Sequence, residues 1–199
     1  MKVGVCVPTR DSVSNRFAYC LSQLTARLAS TNTEYELFFE EGSILPQQRI
    51  TLVQIALDRQ CSHILFLDSD MVFPANIVHE LLKHDQDMVA CNYSTRTQPY
   101  RSVAFLETDT YENTLEKTEG LHTVAAVGLG ISLIKADIFE NIDTPYFKFE
   151  WSDEYNSYVG EDIYFCQQLT SAGYNIYVDA SLSNRCAHIG AIACKMDMI

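Results

Sequence analysis

Residues 1–92 alternate apolar, β-branched runs with segments of helical spacing, and this alternation restricts the fold more than any other feature of the chain. Lys2 to Pro8 is Val-rich and apolar on both faces, as a buried strand requires. "SNRFAYCLSQLTARLAS" then spaces Phe17, Cys20, Leu21, Leu24 and Leu28 along one helical face behind Ser14, a side chain suited to capping. Tyr35 to Phe39 reads as a second strand. "LPQQRITLVQIALDRQ", carrying Ile50, Val53, Ile55, Ala56 and Leu57, reads as a second helix entered through Pro46. His63 to Leu67 is a third apolar strand, followed by a helix from about Pro74 to His84 and a strand from Met88 to Cys91. Strands and helices in this order predict an α/β fold, an open and mainly parallel doubly wound sheet with helices on both faces.

After Asn92 the pattern changes. Short β-like runs (Val103 to Leu106, His122 to Val127, Ile131 to Ile134) flank "TDTYENTLEKTEG", a polar stretch suited to a surface hairpin or loop. One helix is clear, "EDIYFCQQLTSAG", closed by Gly173, with the strand "NIYVD" beyond it. At 199 residues and 47% hydrophobic side chains, a single domain over residues 1–199 is expected, with a first half (1–92) and a second half (93–199) that holds a smaller β region.

Charge narrows the partners. With 14 Lys+Arg against 26 Asp+Glu, the formal charge of −12 opposes direct binding of nucleic acid or anionic lipid. An anionic small molecule remains compatible where a divalent cation or a few placed Arg residues offset the charge. No apolar run approaches the ~20 residues of a transmembrane helix, and "MKVGVCVPTR" lacks the basic-then-apolar order of a signal peptide. The seven cysteines (Cys6, Cys20, Cys61, Cys91, Cys166, Cys186, Cys194) lie mostly in apolar runs and never as CxxC. They read as small buried hydrophobes of a reducing compartment, and a cytoplasmic location is expected.

The third strand ends in "LDSDM". Open α/β sheets bind ligands beyond the carboxyl ends of their strands, where Asp68 and Asp70 fall. In an extended chain residues i and i+2 share a side, and two close ionised carboxylates repel unless one is protonated or a cation lies between them. Oxygen ligands suit Mn²⁺ or Mg²⁺, ions that also take substrate phosphates. The alternative is an Asx-type turn ahead of Pro74. Further along, "YVGEDIYF" puts Glu161 and Asp162 in the first turn of a helix, where the dipole alone favours them, and "RCAHIG" carries a lone His188.

Taken together, Asp-Ser-Asp after a hydrophobic strand, Gly-Glu-Asp opening a later helix and a His after the next strand resemble nucleotide-sugar-dependent glycosyltransferases of the GT-A fold, especially the family 2 type. The resemblance runs in order over residues 2–190. "CVPTR" (6–10) is similar to the first-strand turn that holds the nucleoside, through Pro8, Thr9 and Arg10. "FFEEGS" (38–43) is similar to the second-strand end that contacts the base, with Glu40 where Asp is usual. "PQQRI" (46–50) sets Arg49 where the family has an Arg facing the diphosphate. The resemblance implies Asp70 as metal ligand, Asp68 on the ribose or the metal, and His188 completing the metal site. It implies Asp162 as catalytic base, held ionised by its helix N-terminus, with Glu161 the alternative. Gly128 and Gly130 in "AVGLGISLIKADIF" would let backbone approach the donor sugar.

It further implies a UDP- or GDP-type sugar donor, a glycan or other hydroxyl acceptor, a divalent metal cofactor and inverting transfer. Trp151, with Tyr155 and Tyr158, would meet the donor or acceptor or else form a satellite core, and Tyr93, Arg96, Tyr100 and Arg101 would line the acceptor side. The QxxRW motif of processive synthases is absent, which points to a non-processive enzyme. Two other readings stay open. A nucleotidyltransferase would want a glycine-rich phosphate loop, which "PTRDSVSNR" lacks, and a non-catalytic nucleotide-sugar or glycan-binding module would differ only in turnover.

Overall fold

The computed structural model describes residues 1–96, 98–107, 114–116, 119–154 and 156–190. Its first half follows the predicted order: β1 (Lys2–Thr9), α1 (Asn15–Ser30), β2 (Glu34–Glu41), α2 (Leu45–Asp58), β3 (His63–Leu67), β4 (Met71–Val72), α3 (Ile77–Leu82) and β5 (Met88–Ala90). Ser14 caps α1 by accepting from Phe17 N–H at 3.0 Å. The helix expected from Pro74 is shorter, because Pro74 to Ile77 forms a turn in which the Pro74 carbonyl accepts from Ile77 N–H.

The second half contains β6 (Ala104–Phe105), β7 (Leu121–Val124), β8 (Ala126–Val127), β9 (Ile131–Lys135), β10 (Glu150–Ser152), β11 (Ser157–Val159), α4 (Glu161–Ser171), β12 (Ile176–Asp179), α5 (Ala180–Ser183) and β13 (Ala187–His188). The run expected from His122 to Val127 breaks at Ala125, where the chain leaves the central sheet and β8 pairs with β6. Gly173 closes α4 at φ +87, as its position suggested. Much of the polar stretch 108–120, together with Tyr155 and Cys194, lies outside the described residues.

The central sheet has seven strands in the order β2-β1-β3-β9-β5-β12-β7. β2, β1 and β3 run parallel, as do β5 and β12, whereas β9 enters antiparallel between β3 and β5 and β7 is an antiparallel edge. The sheet is therefore mainly parallel, and the strand inserted at its centre comes from the second half.

Alternation along the strands feeds two cores. Val3, Val5, Val7, Leu65 and Leu67 pack with α1 and α3; Cys6, Ile64 and Phe66 pack on the other face with α2 and α4, where Phe139, Phe147 and Phe165 cluster. Both faces are thus covered, which explains why β1 from Val3 to Pro8 and β3 from Ile64 to Leu67 carry no polar side chain. Among the described cysteines five are buried, all six are free, and Cys186 is half-buried.

Candidate functional site

The carboxyl ends of β1 and β3 open onto a cleft of about 460 Å³ lined by Pro8, Thr9, Arg10, Gln48, Asp68, Asp70 and Arg96, among others. A larger hollow of about 530 Å³ lies at the opposite end of β3 beside Ser62 and His63, the end at which this class of sheet does not bind ligands. Thr9 and Glu40 are fixed through their backbones. The buried Gln48 side chain donates to both carbonyls, and Gly42 N–H also donates to that of Thr9. Gln48 carries no signal in the sequence, since a lone glutamine on a helix is ordinarily solvated. Glu40 is half-buried beside this wall, and its side chain is not part of the cleft lining.

Asp68 and Asp70 do not lie on an extended segment. The Asp68 carbonyl accepts from Met71 N–H at 3.0 Å, so 68–71 is a tight turn, anchored by Asp68 N–H donating to the Gly130 carbonyl. The turn at 68–71 is closed by backbone and is not the Asx-type helix cap expected at Pro74, since α3 starts at Ile77 with no side-chain cap; the two carboxylates face one cleft but have separate partners. Asp68 accepts from Arg49 Nη2 at 3.0 and 3.3 Å. Asp70 Oδ2 lies 2.7 Å from Arg96 Nη1 and 3.3 Å from His188 Nε2.

His188 reaches Asp70 because β13 pairs antiparallel with β4, Met71 opposite His188, and Ile189 N–H donates to the Asp70 carbonyl at 2.8 Å. The ring stands edge-on to Tyr93. Its Nδ1 is 3.0 Å from the Ser94 carbonyl, which can only accept, so Nδ1 carries a proton and Nε2 is the position that binds a cation or takes a second proton. Asp70 raises the His188 pKa; burial alone would raise that of Asp70, but His188 and Arg96 hold it below the ordinary carboxylate value. A neutral imidazole nitrogen beside a carboxylate oxygen, with the tautomer set from behind, fits Mn²⁺ well. No group of three or more His, Cys, Asp or Glu side chains is gathered for a metal among the described residues, so the remaining positions would fall to phosphate or water.

Arg49 does not face the cleft. It is 1% exposed, lies over Phe66, and joins Asp68 to Glu161, whose Oε1 accepts from Arg49 Nε at 3.2 Å. Burial opposes its charge, but the two carboxylates outweigh this and keep it firmly protonated. Among the described residues its Nη1 has no hydrogen-bond partner. The helix start therefore meets the strand end through one buried cation.

Asp162 is half-buried, and the helix N-terminus expected to hold it ionised is outweighed in part by its surroundings. Its Oδ1 accepts from Ile163 N–H at 2.8 Å, but burial, then the charge of Glu161, push its carboxyl up to about 6. Gly160 makes this placement feasible, since a Cβ there would lie 2.5 Å from Asp162 Oδ1. The two other glycines also serve a protein group: a Cβ on Gly128 or Gly130 would meet the Tyr93 hydroxyl at 2.5 or 2.6 Å, and that oxygen accepts from Gly130 N–H. The space expected for a donor sugar against these glycines is filled by Tyr93. Trp151 sits opposite Tyr158 on the β10–β11 hairpin, its indole N–H on Asp153 and its ring edge-on to Tyr158, half exposed and bonded to none of the cleft residues.

The mixed seven-stranded sheet, its two helical layers and a cleft at the β1 and β3 ends make up the GT-A fold. No family model matches the sequence, and no curated protein matches it. Solved structures match over the whole chain. Protein A197 from STIV superimposes with a TM-score of 0.59 at 19% identity, covering 98% of both chains. A mutant Drosophila β-1,4-galactosyltransferase 7, in complex with manganese, UDP-Gal and xylobiose, superimposes at 0.53 with 15% identity, covering 99% of this chain and 77% of that one. At such identities the likeness is one of fold. Among the described residues no helix is long and apolar enough to cross a membrane.

Proposed function

We propose that this chain is a divalent-metal-dependent glycosyltransferase, moving a sugar from a UDP- or GDP-type donor to a glycan hydroxyl with inversion and without processivity. The observation that carries the reading is the Asp70–His188 pair at the carboxyl end of β3, with the His188 tautomer set by Ser94. The Drosophila structure of the same fold, with manganese, UDP-Gal and xylobiose bound, supports it.

In this reading Pro8, Thr9 and Arg10 hold the nucleoside and Asp68 the ribose, while Glu40, outside the cleft lining, supports the wall through its backbone. Asp70 and His188 would hold Mn²⁺ or Mg²⁺, whose charge would offset that of the diphosphate. Asp162 takes the proton of the acceptor hydroxyl as its oxygen bonds to the anomeric carbon; the bond from that carbon to phosphate breaks, and the electron pair leaves on the nucleoside diphosphate. A base near 6 is mostly ionised at neutral pH yet basic enough to accept the proton. Glu161 is already bound to Arg49, which makes it a positioning residue through that cation. Trp151 offers an exposed ring for stacking on acceptor sugar.

The test is a thermal-shift comparison of UDP, GDP, CDP and dTDP, each with and without Mn²⁺, on wild type and Asp70→Ala. Ligand at 100-fold its dissociation constant adds ~2.7 kcal/mol. Stabilisation by one diphosphate, only with metal and only with Asp70, is the expected result; no stabilisation by any of them would remove the reading.

A further inference from the structure

One carboxylate oxygen at this site serves two groups. Asp70 Oδ2 lies 3.3 Å from His188 Nε2 and 2.7 Å from Arg96 Nη1, so a cation bound by Asp70 and His188 would compete with the Arg96 guanidinium for that oxygen. The Arg96 side chain is 57% exposed, and such pairs are weak and readily exchanged. Its backbone is placed by the adjoining fold: Ser94 bridges to Ser102, Thr95 N–H donates to the Arg101 carbonyl, and a Cβ on Gly190 would lie 3.4 Å from the Arg96 carbonyl. The head group is therefore free to swing from a fixed base, and it already lines the cleft with Arg10, Asp68 and Asp70.

Charge gives the direction of the swing. Asp68 is compensated by the buried Arg49, whereas Asp70 is compensated by Arg96 and by His188 when protonated. A divalent cation at Asp70 and His188 would repel the guanidinium, and a diphosphate arriving at the same cleft would attract it; planar guanidinium donors match phosphate oxygens. Resting on the metal-dependent reading above, we propose that Arg96 is a built-in counter-cation, displaced from Asp70 by the metal and then a ligand of the nucleotide's diphosphate. The exchange would make metal and nucleotide binding mutually reinforcing, because each favours the swung position of the same side chain.

The experiment measures binding, not turnover. Free Mn²⁺ is followed by its electron paramagnetic resonance signal while Mn²⁺ alone is titrated into wild type, Arg96→Met and Asp70→Asn. UDP and GDP are then titrated calorimetrically at saturating Mn²⁺. Arg96→Met should bind Mn²⁺ alone roughly two- to fivefold more tightly than wild type, since an exposed competitor has been removed. It should bind the preferred diphosphate with Mn²⁺ about tenfold more weakly, since a charged hydrogen bond has been lost. Mn²⁺ affinity unchanged or lowered in Arg96→Met while Asp70→Asn abolishes it would overturn the counter-cation and leave the metal site standing. Tighter Mn²⁺ with unaltered diphosphate affinity would overturn the transfer to phosphate. Mn²⁺ binding equally to wild type and Asp70→Asn, or neither diphosphate binding to wild type, would remove the metal-dependent reading and this proposal with it. Arg96 is exposed, so the Met variant should melt like wild type, a control made before titration.

Discussion

Replacing Asp162 with Asn should stabilise the fold at neutral pH while removing turnover. In the folded chain burial, then Glu161, lift this carboxyl from the ordinary 3.8 to about 6. Folding thus favours the protonated form. The contribution to stability is fully present below about pH 4 and is lost as pH rises through about 6, because across that window the folded state binds the additional proton. Roughly two pH units correspond to about 3 kcal/mol at 1.36 kcal/mol per unit, and solvent reaching the half-buried carboxylate brings this to about 2. Asn keeps an oxygen to accept from Ile163 N–H and carries no charge at any pH. The stability difference between Asp162→Asn and wild type should therefore be near zero at about pH 3.5, grow between about 4 and 6, and level off near 2 kcal/mol at about pH 8, a rise of roughly 4–8 °C in Tm for a chain of this size. Urea unfolding at a series of pH values measures the curve. A flat difference, or a variant less stable than wild type at about pH 8, would mean that the carboxylate is at ease where it sits, and the tuned-base argument would fail with it.

Turnover of Asp162→Asn should fall by ~10²-fold or more with diphosphate binding nearly unchanged, and wild-type kcat/KM should fall about tenfold per pH unit below about 6; a profile flat to about pH 4.5 would exclude Asp162 as the base. Arg49→Met leaves Asp68 and Glu161 without their cation, so it should cost about 3–5 kcal/mol in urea unfolding at neutral pH. A cost below about 1 kcal/mol would show that the carboxylates find water instead. Gly130→Ala drives a methyl into the Tyr93 hydroxyl and should cost about 1–3 kcal/mol; in a double-mutant cycle Tyr93→Phe should recover part of that cost, and simple additivity would contradict the packing argument.

The parts of this molecule legible in the sequence are those set by near neighbours. Strands β1, β3 and β5 and helices α1, α2 and α4 announce themselves through apolar spacing, because burial on two sheet faces or one helix face is written every second or every third to fourth residue. The antiparallel seat of β9 is not written that way; Ile131 to Ile134 reads as a strand, but nothing local says that it slots between β3 and β5. The same division runs through the site. The acidic pair, the helix-opening Glu-Asp and the late His stand out by residue type. Arg49 also stands out by motif, yet its burial depends on partners 19 and 112 residues away. The Ser94 carbonyl that sets the His188 tautomer has no side-chain signature, and the glycines of "VGLG" gave no hint that Tyr93 fills their space.

Under the proposed function, the buried Arg49 would let two motifs so far apart in sequence act on one ligand. Asp68 belongs to the turn after β3, and Glu161 to the first turn of α4; each is one residue or two from a group assigned a chemical role, Asp70 and Asp162 respectively. A single guanidinium bonded to both fixes the distance between the turn and the helix start. Any shift of one would leave a carboxylate unpaired in a largely dehydrated place, which costs far more than the ion pair gains. Such a triad adds little net stability compared with well-packed apolar side chains. What it adds is a stiff connection, so that the proposed base on one element and the proposed metal-binding turn on another would keep their separation to within the tolerance of a reaction whose rate depends on alignment. In this arrangement the arginine that the resemblance assigns to the diphosphate acts from beneath the cleft, and Arg10 and Arg96 are left as the cations at its surface.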